Sequence, residues 1–218
     1  MRYKAVLFDL DGTLLDTLED LADSANHALA EMRMPEHPVD AYRYFVGDGM
    51  MTLIERIVPD DRRNEKIILE TADAFRRHYS GNWHVKTRAY PGIREMLTAL
   101  VDAGLQLAIL SNKPQDFTEL CVERLLGDFP FAPVLGQREG IPKKPDPAGA
   151  LEIAEILNTA PEQFLYLGDT SIDMYTAGRA GMCAVGVLWG FRTERELRES
   201  GADHLLRAPS DLLTLLNQ

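Results

Sequence analysis

Cysteine is scarce: the 218 residues include only Cys121 and Cys183, each set in an apolar pattern and far from the other. That excludes a disulfide framework, and thiols packed as small apolar side chains suit a cytoplasmic protein. Long apolar runs are missing too. Arg2 and Lys4 begin the chain, but the apolar residues 5–8 give way to Asp9 and Asp11, too early for a signal-peptide core. No other stretch approaches the ~20 apolar residues of a membrane span. Positive charge is outnumbered, with 23 Lys and Arg against 34 Asp and Glu and a net charge of -11. This balance argues against nucleic acid or an anionic membrane surface as a partner. It does not exclude a small anionic substrate, because a local metal or lysine overrides the global field. The five histidines do not cluster along the sequence and are assigned no chemistry.

What is present is an ordinary globular composition, 45% hydrophobic and 26% charged, at a length that suits one large domain or two small ones. Residues 5–8, Ala-Val-Leu-Phe, form a short apolar run that ends at Asp9, Asp11 and the turn signal Gly12-Thr13. Such a run reads as a strand buried on both faces. Two carboxylates at its mouth are costly unless something there needs negative charge.

Residues 17–20, Thr-Leu-Glu-Asp, have the pattern of a capping box with Asp in place of Glu, followed by helically spaced Leu18, Leu21, Ala22, Ala25, Leu29 and Met32. Further helices are expected around 41–46, over Met50 to Ile57 and through Ile67 to Tyr79, so 16–88 reads as helix and turn without a convincing strand. The pattern then alternates. Apolar strands are expected at 105–110, 132–135, 164–167, 183–187 and 204–206. Helices lie between them, one of them over 193–200 and capped by Thr193, and a terminal helix covers 211–216. Helices alternating with apolar strands point to an α/β fold, a Rossmann-like doubly wound parallel sheet core made of 1–15 and 89–218. The helical segment 16–88 is inserted into it.

In open parallel sheets, ligands bind at the carboxyl ends of the strands. Asp9 with Asp11, Ser111 with Asn112, Lys144, and Asp169 with Asp173 each follow an expected strand, so four polar clusters converge on one sheet edge. Asp9, Asp11 and Asp169 supply hard oxygen ligands without a nearby His or Cys, which suits Mg²⁺ better than zinc. With an ordinary aspartate pKa of about 3.9, Asp9 is already a nucleophile at pH 7. Its obstacle is repulsion from an anionic phosphate, roughly 4 kcal/mol per charge pair at about 4 Å and an effective dielectric of 20. A divalent ion and Lys144 would offset that repulsion. Ser111 and Asn112 offer donors to phosphate oxygens. Asp11, placed on the same strand face as Asp9 by the period-two rule, can protonate a leaving alkoxide and later deprotonate water.

Simpler readings exist for each feature. An EF-hand-like calcium loop would need a helix before Asp9 and a bidentate Glu where Asp20 stands. Lys143 and Lys144 could be solvated surface, although Pro145 and Pro147 favour Lys144 as the functional one. Asp173 could serve a helix dipole. Gly47 and Gly49 could simply permit a tight turn, and Trp83 and Trp189 suit packing.

Residues 9–13 (Asp-Leu-Asp-Gly-Thr), 111–113 (Ser-Asn-Lys), 144–147 (Lys-Pro-Asp-Pro) and Gly168-Asp169 through Asp173 together resemble, in order and spacing, the four motifs of the haloacid dehalogenase superfamily. The resemblance implies Asp9 as nucleophile and Asp11 as acid and base. It also implies Mg²⁺ on Asp9, the Asp11 carbonyl and Asp169, with Asp173 as ligand or supporting carboxylate. Segment 16–88 matches the family's cap domain. Through its N-terminal FDLDGTLLDT and its Val46-Gly47-Asp48-Gly49, the chain looks most like phosphoglycolate phosphatases, with Gly12, Thr13, Asn112, Gly47 and Gly49 at the substrate. Neighbouring subfamilies fit less well. True dehalogenases lack the aspartate present here as Asp11, and sugar phosphomutases usually have valine at the position of Thr13. Phosphonoacetaldehyde hydrolases use an early cap lysine, whereas Lys66 and Lys86 are late.

The expected activity is that of a phosphoric monoester hydrolase: Mg²⁺-dependent removal of phosphate from a small phosphorylated metabolite, 2-phosphoglycolate first, through an aspartyl-phosphate. A sugar-phosphate or nucleotide phosphatase, a pyrophosphatase and a phosphomutase are related alternatives. A phosphorylated receiver-type switch is the alternative of another class, but such domains are shorter and lack a helical insertion. The oligomeric state is left open.

Overall fold

The computed structural model describes residues 2–216. Two compact units emerge, one running up to Leu15 and again from Ala89 onward, the other Asp16–Arg88.

The first unit opens with β1, Ala5–Phe8, and the chain leaves it through β2, Leu15–Asp16. The inserted unit holds α1 (Leu18–Glu31), α2 (Tyr42–Phe45), α3 (Met50–Ile57) and α4 (Glu65–Asn82), and the chain returns through β3, Arg88–Ala89. After it come α5 (Ile93–Asp102), β4 (Gln106–Pro114), α6 (Gln115–Leu126), β5 (Phe131–Gln137) and α7 (Ala148–Ile156). The chain finishes with β6 (Phe164–Gly168), α8 (Ser171–Ala180), β7 (Cys183–Val187), α9 (Glu194–Glu199), β8 (His204–Leu206) and α10 (Asp211–Leu216).

The main sheet is parallel in the order β5-β4-β1-β6-β7-β8, as expected of a Rossmann-like core. β1 is central, with Leu7 level with Ala108 of β4 on one side and Tyr166 of β6 on the other. All four β1 side chains are fully buried, which explains their uniformly apolar character. Ala5, Leu7, Ala108, Leu110, Phe164 and Tyr166 face Ile153 of α7 and Met174 and Ala177 of α8. Val6, Phe8, Leu107, Ile109, Leu165 and Leu167 alternate to the opposite face and are equally buried. Each such Leu, Ile or Phe contributes about 1.5–3 kcal/mol of burial. The chain moves from β1 outward through β4 to β5, then crosses back to β6 on the other side of β1. A switch of direction at β1 opens a crevice at its carboxyl end.

Four local expectations are corrected. Thr17 does not form a capping box: its hydroxyl has no side-chain cap bond. Asp20 instead accepts hydrogen bonds from the Lys86 and Thr87 amides and the Thr87 hydroxyl at 2.7–3.0 Å, partners that only the tertiary fold supplies. Short strands do exist at the borders of the helical segment, in β2 and β3. Two histidines do come together, because α1 and α4 pack so that the His27 and His78 rings stack with centroids 4.1 Å apart. Finally, β4 runs on to Pro114, carrying Ser111, Asn112 and Lys113 within the strand instead of after it. The Thr193 cap of α9 does form, its hydroxyl accepting from the Glu196 amide. Among the described residues no helix is long and apolar enough to cross a membrane.

Candidate active site at the carboxyl end of β1

Asp9 follows directly on β1, and its amide still donates to the Leu167 carbonyl at 2.9 Å, which fixes the backbone to β6. The Leu10 carbonyl then accepts from the Leu14 and Leu15 amides, closing a tight loop in which Gly12 takes φ 84°. Only a glycine adopts that conformation easily. The strand therefore ends before both aspartates, so the period-two argument for Asp11 does not hold. The loop separates the two instead. Asp9 is 7% exposed, whereas Asp11 is half-buried with its carboxylate paired to the Lys113 ammonium at 3.0 and 3.1 Å.

Asp9, Asp169 and Asp173 are all buried and each presents a carboxylate oxygen within 4.8 Å of the others. The Asp11 carboxylate, expected to supply a hard oxygen ligand beside Asp9 and Asp169, is not part of this trio because it pairs with Lys113; the resemblance implies a part for its carbonyl alone. Lys144 enters from the loop before α7 and sets its ammonium 2.9 Å from Asp9 and 2.7 Å from Asp173. Asn112 fixes that loop from both sides: its Nδ2 donates to the Lys144 carbonyl at 3.1 Å and its Oδ1 accepts from the Lys144 amide at 2.9 Å. Asp173 also completes a true capping box on α8, its other oxygen accepting from the amide and hydroxyl of Thr170. The helix-capping and site readings of Asp173 are thus compatible, one oxygen to each.

The electrostatics follow from burial. Removal from water pushes Asp9 up to about 7, with Asp173 adding repulsion and Lys144 opposing it. The ordinary aspartate value expected from sequence does not apply to it in this environment. Burial, then Asp173 and Asp9, push Asp169 well above the carboxylate range, against the Phe191 amide and Arg192. Burial works against the Lys144 charge, but Asp173 and Asp9 outweigh it and hold the ammonium well above the usual lysine value. Lys144 pairs with two of the three buried carboxylates, and the trio itself offers oxygen ligands alone, the donor set that suits a hard cation.

Ser111 is 5% exposed, and its hydroxyl accepts from the Lys113 amide at 3.2 Å. Thr13, expected at the substrate, is fully buried and donates to Asp169 Oδ1 at 3.2 Å; Gly12 lies against the same carboxylate. Gly47 and Gly49 belong to the helical unit, both with positive φ, where Gly49 precedes α3. Sequence reasoning assigned no role to Lys113, Thr170 or the loop 188–191. Thr170 was findable as the first residue of a Thr-x-x-Asp box. Lys113 stood beside Ser111 and Asn112, but its pairing with Asp11 spans 102 residues. Trp189 gave no signal beyond packing, yet its indole N–H donates to the Thr13 carbonyl.

Known proteins resemble this chain in sequence and in fold. Residues 6–187 match the family model described as haloacid dehalogenase-like hydrolase. A phosphoglycolate phosphatase of Aquifex aeolicus (strain VF5) is 34% identical over 214 residues, covering 98% of this chain and 97% of that protein. One from Haemophilus influenzae (strain 86-028NP) is 32% identical, covering 99% of both. A crystal structure from Lactobacillus delbrueckii subsp. bulgaricus superposes with a TM-score of 0.92 at 29% identity over 99% of each chain. The chain belongs to the haloacid dehalogenase-like hydrolase family.

Proposed function

We propose that this protein is a Mg²⁺-dependent phosphatase that hydrolyses a small phosphomonoester, 2-phosphoglycolate first among candidates, by way of a phosphoryl group carried on Asp9. The observation that carries the reading is the buried trio of Asp9, Asp169 and Asp173, with the Lys144 ammonium held between Asp9 and Asp173. Support for the substrate class comes from the relatives at 34% and 32% identity named phosphoglycolate phosphatase.

Asp9, Asp169 and Asp173, with the Asp11 carbonyl, are the groups that would hold the cation. When bound it would neutralise carboxylate and phosphate charge. Asp9 attacks phosphorus, forming the Asp9–phosphorus bond as the ester oxygen leaves. Asp11 gives that oxygen its proton and so becomes the base for the second step. It then takes a proton from water, which attacks the same phosphorus, releases inorganic phosphate and regenerates Asp9. Lys144 screens the repulsion between Asp9 and the incoming phosphate, Ser111 supplies a hydroxyl near the end of β4, and Asn112 holds the Lys144 loop in place. We assign selection of the leaving group to the helical unit as the family's cap, with Gly47 and Gly49 in it. Free cysteines accord with a cytoplasmic setting.

A phosphomonoester panel assayed with and without Mg²⁺ tests this reading. Metal-dependent release of phosphate, fastest with 2-phosphoglycolate or a similarly small acid, is expected; no metal-dependent turnover on any member contradicts it.

A further inference from the structure

The loop after β7 does something that packing alone does not require. Leu188 anchors it to β8 through the Leu206 carbonyl at 2.9 Å. Trp189 then donates its indole N–H to the Thr13 carbonyl at 2.9 Å, and the Phe191 amide donates to Asp169 Oδ2 at 2.8 Å. The Thr13 hydroxyl, in turn, donates to Asp169 Oδ1 at 3.2 Å. These contacts form a closed cycle that joins the ends of β1, β6 and β7 around one carboxylate.

Two glycines make the cycle tight enough to close. A Cβ on Gly12 would sit 2.3 Å from Asp169 Oδ2. A Cβ on Gly190 would sit 2.3 Å from Asp169 Cβ and 2.4 Å from the Gly12 carbonyl oxygen. Neither of the atoms met by Gly190 is the free end of a flexible side chain, so neither can step aside. Gly190 is not among the positive-φ glycines. Its glycine therefore serves close approach and not backbone conformation, and the Asp169 carboxylate lies in a slot between two residues without side chains.

We infer that residues 189–191 act as a strap that positions Asp169, the carboxylate committed to the cation, and so sets the protein's affinity for a divalent metal. The inference rests on the cation reading under Proposed function and assigns new roles within it. Trp189, Gly190 and Phe191 are positioning residues: they touch the carboxylate and the β1 turn, with no part in bond making. Both Asp169 oxygens are oriented by donors from the two flanking loops, which restricts the carboxylate to one rotamer before any cation arrives.

The test is direct titration of the full chain with Mg²⁺ or Mn²⁺ by calorimetry, with melting temperature and circular dichroism in parallel and no turnover involved. Gly190→Ala lifts the strap and withdraws the Phe191 N–H from Asp169. Its dissociation constant is expected to rise about 10–100-fold while secondary structure stays that of the parent. Trp189→Phe keeps the apolar ring and removes only the donor to Thr13, with an expected rise of about fivefold. Parent-like affinity in a folded Gly190→Ala variant overturns the strap. Should Gly190→Ala fail to fold, parent-like affinity in Trp189→Phe overturns it equally. A parent chain that binds neither cation contradicts the cation reading itself, and the strap falls with it.

Discussion

Removing the Lys144 ammonium is the perturbation with the largest consequence that the geometry allows one to estimate. Its side chain is 2% exposed and touches two carboxylates, at 2.9 Å and 2.7 Å. At an effective dielectric of 20, each attraction amounts to about 6 kcal/mol before the cost of burying the ions is subtracted. Lys144→Met keeps the volume and flexibility of the stem but leaves Asp9 and Asp173 buried against each other without a counter-charge. Breaking a buried pair in this way costs about 3–5 kcal/mol. For a chain of this size each kcal/mol lowers the melting temperature by about 2–4 °C, so a fall of roughly 6–20 °C is expected without added metal. Turnover with saturating Mg²⁺ should fall about 10²–10³-fold, because a preorganised positive charge no longer faces the phosphate. Thermal unfolding followed by circular dichroism checks the first number and a phosphate-release assay the second. A variant that melts within about 2 °C of the parent and turns over within about tenfold of it would refute the reasoning.

Three further outcomes are expected. Asp9, ordinarily near 3.8, is raised to about 7 by burial. Its contribution to stability is therefore complete below its unfolded value and lost as pH rises through about 7. Because Mg²⁺ competes with that proton, the stabilisation it gives should grow from pH 6 to pH 8; an equal shift at both contradicts the assignment. Asn112→Ala leaves the buried Lys144 backbone without its two partners. It should lower kcat about 10–100-fold with little change in KM, a split measured by steady-state kinetics. Asp20→Ala strands the Lys86 and Thr87 amides, with an expected loss of about 2–5 kcal/mol in urea unfolding.

The parts legible in the sequence were those where one residue pattern has one physical solution. An uninterrupted Ala-Val-Leu-Phe at 5–8 has no polar face, so it reads as a strand buried on both faces, and the direction of a parallel sheet then carries Asp9, Lys144 and Asp169 to one edge. Illegible parts depended on partners distant in the chain. Thr17 to Asp20 has the local form of a cap, yet the Asp20 carboxylate gains three donors from Lys86 and Thr87, more than a helix end offers. His27 and His78 meet only because α1 packs on α4. The elevated value of Asp9 reflects burial that a side-chain inventory does not contain. Gly190 is the clearest instance: with an ordinary backbone conformation it resembles any loop glycine until the Asp169 side chain is placed against it.

The central claim, that Asp9 carries the phosphoryl group, is tested most directly by acid-quenching a single turnover and mapping phosphorylation by peptide mass spectrometry. The account predicts a phosphoryl group on Asp9 that appears before inorganic phosphate. It also predicts that Asp9→Asn forms none and loses turnover at least ~10³-fold. Complete release of phosphate with no modified Asp9, together with substantial turnover by Asp9→Asn, would contradict it.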